Sequence, residues 1–586
     1  MDARSPRSFY LFRRSIAPLG VALSAALAQA QTPPDAGSHF SEQQRLQQRL
    51  PDRMPQIDGA ERARPALRDT GGERLVIQRI RFSGAVDLVP VTELQALVAN
   101  ALGKPHDFAG LEALAQRLTD HLKKSGYLLA RAYLPRQDVT NGDLEIALLA
   151  GKLDSKNEPI KILPGGKLAL RIDPERLKAI ASSALQAGVS ARDEDLQRAM
   201  LLMNDLPGIS ARARLEPGSE ADTTRVVVDV EQAPLLTLTL SLDNYGNRYN
   251  GDLRTIASIQ ADDPLGIGDR ASLSLTQARY STQYAFNYSL PLGSDGLRLG
   301  LSASQLDSQT MKEFSSLDIE AASDTFGITL SYPVIRTRQR NLWASLTADR
   351  RRYLDTARGQ PTNDRETQPL SLSLSGDQLD SLMGGGFTQG GIAYVAGSLD
   401  LKLPVVRTGD ATTANSAGRY DKWTWNASRL QRINGTWTLL LAANGQAAGK
   451  NLDSSEKFSL GGPTGVRAYS SGEAQGDEGF VATLEVRHDL PGSSLGQWQL
   501  SGFYDHGRTT LHKTQWAGSV NNASGANTYS IGGFGLGLSL SKAGSHSLRF
   551  VLARRAGDNP GRSAAGKDSD GLNEHTRAWL QALFWF

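Results

Sequence analysis

Cysteine is absent from this chain of 586 residues. Its absence excludes disulfide scaffolds, thiolate nucleophiles and cysteine-ligated metal sites in one step. An excess of charge is lacking too, because 64 Lys and Arg residues nearly balance 61 Asp and Glu residues and leave a net charge of +3. Without a basic block the chain has no electrostatic surface for nucleic acid. It must therefore fold and function through packing, hydrogen bonds and individually paired charges.

Long apolar runs are missing beyond the first thirty residues. Residues 1–30 join four arginines, an apolar run at residues 16–27 and the small-residue site Ala28-Gln29-Ala30, which is the pattern of a secretory signal peptide. After it no stretch of about eighteen apolar residues occurs, and this predicts the absence of a transmembrane helix. We therefore expect an exported protein that is either soluble or a β-barrel.

Nucleotide and metal motifs are incomplete. Each of five Gly-Lys pairs is followed by a residue other than Ser or Thr, so none is a Walker A loop. The glycines of residues 533–537 imitate a dinucleotide motif inside an alternating strand, where they indicate close packing or a lumen contact. Asp568, Asp570 and Glu574 match a calcium loop poorly and favour a solvated surface. The sequence predicts no enzyme, no cofactor, no metal site, and neither nucleotide nor nucleic acid as a partner.

Residues 31–73 are polar and rich in Pro and Arg. Within them residues 38–50 favour a helix, which Ser38 or Ser41 can cap and Pro51 ends. The segment has few large apolar residues: Phe40, Leu46 and Leu50. Such a helix must lie in water or in a polar cavity. The alternative is a disordered tail with transient helicity, because few isolated helices of this length are stable.

Two copies of one small α/β pattern follow, at residues 74–153 and 154–233. The first has the order β-α-α-β-β, with expected strands at residues 75–82, 127–134 and 143–149 and helices at 91–102 and 108–124. The second repeats it, with expected strands at residues 160–163, 211–215 and 225–230 and helices at 174–185 and 193–205. The sequence therefore predicts a tandem pair of modules.

From residue 234 to residue 586 hydrophobicity has a period of two. Alternation alone fits both a soluble sandwich and a membrane barrel. Short connectors such as residues 264–268 alternate with long ones such as 351–367 and 450–478, and about sixteen strands can be counted. This plan favours an outer-membrane barrel. The final segment, residues 577–586, is a strand, as barrel closure requires, because an edge left open in lipid would leave backbone groups unpaired.

One long connector stands out by its composition. Residues 459–480 hold six glycines and a single basic residue, Arg467. About 35 residues on, a strand carries Asp505 on the face expected to line the lumen, and the preceding strand places Glu485 and Arg487 inward. A lumenal carboxylate can receive a guanidinium bidentately, which makes Arg467 and Asp505 candidate partners. The alternative is that Arg467 is solvated and Asp505 pairs with Arg487.

These motifs resemble those of the two-partner secretion transporters (TpsB, the haemolysin and filamentous-haemagglutinin secretion-activation family), which carry POTRA domains. The resemblance covers essentially the whole mature chain. The sequences that carry it are Gly465-Val466-Arg467-Ala468-Tyr469, Phe503-x-Asp505-x-Gly507, Leu134-Pro135-Arg136-Gln137 and Asn204-Asp205-Leu206-Pro207-Gly208. The family usually has glycine where this chain has Ala468, a difference that is costly if the position needs a positive φ.

The resemblance implies a pore in the outer membrane of a Gram-negative cell, with the POTRA modules in the periplasm. It would capture one large unfolded exoprotein, an adhesin, a cytolysin or a contact-dependent toxin, and translocate it to the cell surface. Outer-membrane lipid is the other expected partner. The alternative is an outer-membrane protein assembly factor of the same superfamily, although such a factor would normally carry more than two POTRA modules.

Three sets of site residues are expected. The loop–barrel lock, between the inward-folded loop 450–478 and the barrel, consists of Arg467, Tyr469, Phe503, Asp505 and Gly507. The plug helix, expected to obstruct the pore, contains Phe40, Arg45, Leu46 and Arg49. The edge strand of the first module, expected to bind the exoprotein by strand addition, consists of Tyr127, Leu128, Leu129, Ala130, Arg131, Ala132, Tyr133 and Leu134.

Overall fold

The computed structural model describes residues 33–46, 74–127, 129–137, 139, 141–220 and 223–586. The expected signal peptide at residues 1–30 and two expected site residues, Arg49 and Leu128, lie outside these ranges. In the described part of the chain, no helix is both long and apolar enough to cross a membrane.

The first module keeps the expected order of elements. Its strands are β1 (Leu75–Val76), β2 (Arg79–Gly84), β3 (Pro105–His106), β4 (Arg131–Tyr133) and β5 (Asp143–Leu149), and its helices are α2 (Val91–Val98) and α3 (Phe108–Lys124). The helix that precedes the module is α1 (Ala36–Leu46). The sheet order is β2-β5-β4, with β2 parallel and β4 antiparallel to β5. The Asp107 side chain accepts a hydrogen bond from Gly110 N at 2.8 Å and so caps α3, whose leucines cover the sheet.

The second module repeats this arrangement. Its elements are β6 (Lys152–Leu153), β7 (Ile160–Pro164), α4 (Pro174–Ala184), α5 (Asp193–Asn204), β8 (Ile209–Pro217) and β9 (Thr223–Gln232). β9 is central, pairing with β6, β7 and β8, and its valines at 226, 228 and 230 are fully buried. Because β6 belongs to this sheet, the second module begins at Lys152, two residues earlier than expected.

The expected edge strand at residues 127–134 is too long. Only β4, three residues, pairs with β5. Ala130 N donates to Tyr127 O at 3.1 Å in a turn, and Ala130 is 1% exposed. The apolar residues before β4 therefore fill the core from a turn, and their alternation imitated a strand.

The rest of the chain is a closed antiparallel barrel of sixteen strands, as predicted. Its strands are β10 (Leu236–Asp243), β11 (Arg254–Asp262), β12 (Arg270–Ala278), β13 (Ser281–Pro291), β14 (Arg298–Thr310), β15 (Ile319–Arg336), β16 (Arg340–Ala357), β17 (Gln360–Thr367), β18 (Leu370–Asp380), β19 (Gly386–Leu401), β20 (Gly418–Arg432), β21 (Trp437–Ala448), β22 (Glu478–Asp489), β23 (Gln497–Thr510), β24 (Thr528–Lys542), β25 (His546–Arg555) and β26 (Thr576–Trp585). β17 and β18 form a single barrel strand, because both pair with β16 and with β19. Helix α6 (Pro404–Ala411) lies between β19 and β20.

The faces of the barrel follow the expected alternation. Outward leucines such as Leu372 and Leu536 are 59% and 62% exposed, which only a lipid-facing surface tolerates at this density. Inward charged residues such as Asp505 are fully buried by the contents of the lumen. β10 pairs with β26, and this seam closes the barrel.

The prediction of a long connector at residues 351–367 is wrong. β15 and β16 are 18 residues long, and β16 joins β17 through a tight turn of Arg358 and Gly359, both with positive φ. Alternation of apolar and polar residues ends there because the strands continue beyond the lipid, where neither face needs to be apolar.

The second module is attached directly to one rim of the barrel. Arg336, at the end of β15, binds the Asp205 carboxylate bidentately at 2.6 and 2.8 Å. Arg198 on α5 donates to Pro333 O at 3.2 Å, and Arg176 on α4 donates to Pro291 O at the same distance. Three arginines therefore fix the second module to this rim of the barrel.

Candidate functional site in the barrel interior

The connector between β21 and β22, residues 449–477, folds into the barrel and is called loop 6 here. Its tip has an apolar core of four residues with no exposed surface: Leu460, Val466, Ala468 and Tyr469. This core packs against inward side chains of the barrel wall: Phe503, Ile531, Val551 and Trp579. The glycine-rich loop is therefore part of the barrel interior and not a surface excursion.

Arg467 at the loop tip contacts Asp505 on β23 bidentately. Its Nε lies 2.8 Å from Oδ2 and its Nη2 lies 2.9 Å from Oδ1. The backbone N of Arg467 also donates to Oδ2 at 3.1 Å, and Thr483 Oγ1 donates to Oδ1 at 2.9 Å. Asp505 has no exposed surface and Arg467 is 4% exposed. The buried carboxylate of Asp505 thus accepts four hydrogen bonds, two of them from the buried guanidinium of Arg467.

Glu485 on β22 is a second partner that the sequence did not identify. Its Oε2 lies 2.6 Å from Arg467 Nη1, and its Oε1 accepts from Arg487 Nε at 2.8 Å. Arg487 thus pairs with Glu485, contrary to the alternative in which it pairs with Asp505. Two arginines and two carboxylates form a neutral network. Glu485 was expected to face inward, but only the fold brings its carboxylate to the loop tip.

Phe503, Gly507 and Tyr469 make distinct contacts around this network. The guanidinium carbon of Arg467 lies 3.3 Å from the centroid of the Phe503 ring, a cation–π arrangement. A Cβ at Gly507 would lie 3.2 Å from side-chain carbons of Leu460 and Val466, so glycine lets the loop core approach β23. The ring of Tyr469 lies 4.6 Å below the guanidinium carbon of Arg555.

Ala468 does not have a positive φ, so the backbone does not require glycine there. Its methyl group instead faces Gly533 on β24, where an added Cβ would lie 2.5 Å from Ala468 Cβ. In this contact the barrel wall contributes the glycine, Gly533, and loop 6 contributes the methyl group of Ala468. The expectation of close packing at position 533 is thus met by this contact with loop 6.

Helix α1 lies inside the barrel and begins at Ala36, before the predicted start. Asp35 caps it, with its Oδ1 accepting from Ser38 N at 2.8 Å, so the expected caps Ser38 and Ser41 were wrong. Arg365 on β17 donates to Asp35 Oδ2 at 2.7 Å. The same guanidinium contacts Asp355 at 3.1 Å and Asp453 of loop 6 at 2.8 Å. One buried arginine therefore joins the helix, the barrel wall and loop 6.

The side chains of α1 continue these contacts along the helix. Phe40 packs edge-on against Tyr353 at 5.7 Å between ring centroids, and Leu46 packs against the apolar core of loop 6. Burial raises the pKa of Glu42 to about 7, although Arg254 and Arg45 oppose the shift. Burial also lowers the pKa of His39 to about 4, against the opposing charge of Asp35.

Arg45 binds the turn of loop 6 that precedes its tip. Its guanidinium donates to Leu460 O and Gly461 O, both at 2.8 Å, and to Ser459 Oγ at 3.0 Å. A Cβ at Gly465 would lie 1.6 Å from Arg45 Nη2. Gly465 therefore provides the space that the arginine of α1 occupies, a relation between two distant motifs that sequence spacing does not reveal.

The expected edge-strand residues lie in the first module, far along the chain from the lock. Tyr127 is at the junction of the modules, where its ring lies 5.5 Å from the guanidinium carbon of Arg192. Leu129 packs against the core of the second module. Of this set, β4 contains Arg131, Ala132 and Tyr133. Ala132 N donates to Thr119 Oγ1 on α3 at 2.9 Å.

The contact between Ala468 and Gly533 makes a prediction about stability. Gly533→Ala should destabilise the barrel by about 1–3 kcal/mol through overpacking. Ala468→Gly should reverse this loss in the double variant, because it removes the opposing methyl group. Both effects are measured as the temperature at which the purified barrel unfolds, and unfolding is detected by the shift in gel mobility. Gly502→Ala is a matched control, because its added Cβ would lie 3.8 Å from the nearest side chain. Equal loss in the single and double variants would contradict this account.

The chain is similar to known protein families and to proteins of known name. The profile of the haemolysin secretion/activation protein family ShlB/FhaC/HecB matches residues 222–540, and that of the ShlB-type POTRA domain matches residues 75–151. The heme/hemopexin transporter protein HuxB of Haemophilus influenzae is 26% identical over 474 residues, which are 80% of this chain and 82% of HuxB.

Two solved structures share the fold. CdiB from Escherichia coli superposes with a TM-score of 0.69 at 18% identity, over 95% of this chain and all of CdiB. BamA from Haemophilus ducreyi lacking POTRA domains 1–3 superposes with a TM-score of 0.52 at 14% identity, over 88% of this chain and all of that structure. Since the first profile covers more than half of its length, the chain belongs to the haemolysin secretion/activation protein family ShlB/FhaC/HecB.

Proposed function

We infer that this protein is an outer-membrane pore that translocates one unfolded exoprotein from the periplasm to the cell surface. This process is two-partner secretion. The observation that carries this inference is the content of the lumen. A closed barrel holds a polar helix and an inward loop through non-covalent contacts alone, and contacts of this kind can be broken and remade. The POTRA modules on the periplasmic rim are placed to receive the exoprotein first.

For the partner we propose a large secreted adhesin, cytolysin or contact-dependent toxin. The related proteins are named as transporters of different cargoes, among them the hemolysin transporter protein ShlB of Serratia marcescens. The second candidate function, assembly of other outer-membrane proteins, has the BamA likeness in its favour, which concerns the fold only.

Deletion of this protein from a strain that expresses its exoprotein distinguishes the two functions. A secretion pore predicts that the exoprotein disappears from the surface and medium while porin levels in the outer membrane stay unchanged. An assembly factor predicts that porin levels fall. Complementation with the intact chain controls for effects on neighbouring genes.

We propose that β4 captures the exoprotein by strand addition, through the backbone amide that Ala132 presents to Thr119. Ala130→Pro is not a clean test, because Ala130 is buried and its amide holds a turn. Ala132→Pro removes the edge amide and leaves the ladder to β5 intact.

Ala132→Pro should weaken binding of the exoprotein's N-terminal segment at least about tenfold, equivalent to about 1.4 kcal/mol. Thr119→Val, which frees the same amide from its internal partner, should bind at least as tightly as the unmodified protein. Calorimetric titration of the full-length protein in detergent measures both. Unchanged affinity in Ala132→Pro would place capture elsewhere.

We propose that the loop–barrel lock, joined by Glu485, holds loop 6 in the position needed for secretion. Arg467→Ala and Asp505→Ala should each nearly abolish secretion, because each leaves a buried charge unpaired at a cost of about 3–5 kcal/mol. The double variant should be little worse than either, and Arg467→Lys should not restore secretion, since lysine lacks the planar fork.

The control for these variants is Arg352→Ala. Arg352 forms an ion pair with Asp364 but has a side chain that is 57% exposed, so its loss should cost less than about 1 kcal/mol and leave secretion intact. Exoprotein in the medium is measured relative to the amount of folded barrel in the membrane. Strictly additive effects of the Arg467 and Asp505 substitutions would refute the paired arrangement.

We propose that α1 is a plug that closes the pore at rest. Deletion of residues 33–46 should raise single-channel conductance in planar bilayers, because it empties part of the lumen. Arg45→Ala should raise the fraction of time spent open without changing the largest conductance, since it removes the contact with loop 6 but leaves the helix itself in place. Equal conductance with and without the segment would show that α1 does not obstruct the pore.

Opening of the plug should depend on pH through Glu42. Its pKa is raised from 4.5 when α1 is docked, so docking is favoured when the carboxyl is protonated and weakens as pH rises through about 7. The lowered pKa of His39 acts in the opposite direction below its ordinary value of 6.5, so open probability should increase chiefly between about pH 6 and about pH 7 and level off above it. Glu42→Gln, which remains neutral, should remove this increase in bilayer recordings, and an increase that persists in Glu42→Gln would assign it to another group.

A further inference from the structure

The seam between the first and last barrel strands is paired over a shorter distance than its neighbours. Five residue pairs join β10 to β26, from Thr239 and Trp585 to Asp243 and Gln581. Eight pairs join β10 to β11, and nine join β25 to β26. Leu238 and Phe586 exchange one further pair of backbone hydrogen bonds at the periplasmic end.

At the other end of the seam, Asn244 makes the last contacts to β26: its backbone N donates to Leu580 O at 3.2 Å, and its side chain adds two further hydrogen bonds. The Asn244 carboxamide donates from Nδ2 to Ala578 O at 2.9 Å and accepts from Leu580 N at 2.8 Å. It thus acts as a peptide group for β26. Beyond Asn244 the described chains of β10 and β26 have no further ladder between them.

Loop 6 contacts both strands just beyond this point. On the β26 side, Trp579 Nε1 donates to Arg467 O at 2.7 Å. On the β10 side, Ser471 Oγ donates to Tyr245 O at 3.1 Å. The rings of Tyr245 and Trp579 meet edge-on across the seam at 5.9 Å, and both residues are less than a tenth exposed. The loop therefore spans the seam from the inside.

The loop can restrain the seam because its tip is fixed elsewhere. The Arg467 side chain is held by Asp505 on β23 and Glu485 on β22. Its carbonyl holds β26 through Trp579. A single residue thus connects the strongly paired part of the barrel to the strand at its weakest joint. Ser471, four residues on, extends the connection to the first strand.

We propose that loop 6 is a clamp across the barrel seam, holding the first and last strands together where their backbone ladder ends. The clamp residues are Arg467 through its carbonyl, Trp579, Ser471 and Tyr245. This role is separate from any part that loop 6 plays in transport. It makes closure of the resting barrel depend on the position of the loop.

The double variant Trp579→Phe with Ser471→Ala tests the clamp, because it removes both donors and keeps the aromatic ring. The purified double variant should unfold at a lower temperature than the unmodified protein, and unfolding is detected by the shift in gel mobility on heating. No exoprotein is needed, so the result stands independently of the proposed secretion function.

The absence of cysteine from the chain allows a matched rescue. Leu583 pairs with Ser241 across the seam and with Ser547 on β25, away from it. A disulfide between Ser241→Cys and Leu583→Cys should restore the unfolding temperature of the double variant. A disulfide between Ser547→Cys and Leu583→Cys should restore much less of it, and reduction should reverse the rescue.

Three results would overturn the proposal. They are an unchanged unfolding temperature in the double variant, equal rescue by the two disulfides, and no rescue by the seam disulfide. If the double variant does not fold alone, the comparison is made by folding it with each disulfide in place and reducing afterwards. Faster loss of the folded form on reduction of the seam disulfide than of the control disulfide then supports the clamp, and equal rates refute it.

Discussion

A charge removed from water must be paired, and the interior of this barrel is organised by that requirement. Arg467, Asp505 and Glu485 are almost fully buried, and the Arg467 guanidinium donates hydrogen bonds to both carboxylates. Arg365 plays the same part nearer the other end of loop 6, where three carboxylates converge on it. Because each partner comes from a different element, neutralising the charges also fixes the loop, the helix and the wall relative to one another.

The consequence is a lumen filled by polar contacts instead of an apolar core. Breaking a polar contact costs little free energy when water takes over its hydrogen bonds, whereas breaking an apolar contact costs the free energy gained by burying the apolar surface. A pore that must both close and conduct a polypeptide is suited by the first kind of contact. The largest apolar cluster of the described barrel interior lies at the loop tip, beside the wall of β22 to β26, and a smaller one joins Phe40 of α1 to Tyr353.

The sequence predicted those parts of the structure in which a periodic face meets lipid or a core. Helix α3 and strand β5 begin and end where their patterns placed them. The hairpin of β16 and β17 was missed because its polar faces carry no period, and the turn before β4 was taken for strand because its apolar residues alternate. The pair of Arg467 and Asp505 followed from a motif. Glu485 and Arg45 did not, because their partners are chosen by the fold.

The strands of the barrel differ in length by a factor of about two, and this shapes its outer mouth. At about 3.3 Å per residue, the 18 residues of β15 and of β16 rise far above the 9 residues of β11 and of β12. The mouth is therefore oblique. A polypeptide leaving the lumen meets the extended, hydrogen-bonded strands on one side of the mouth and water on the other. Its first contacts outside the membrane are therefore with one side of the barrel only.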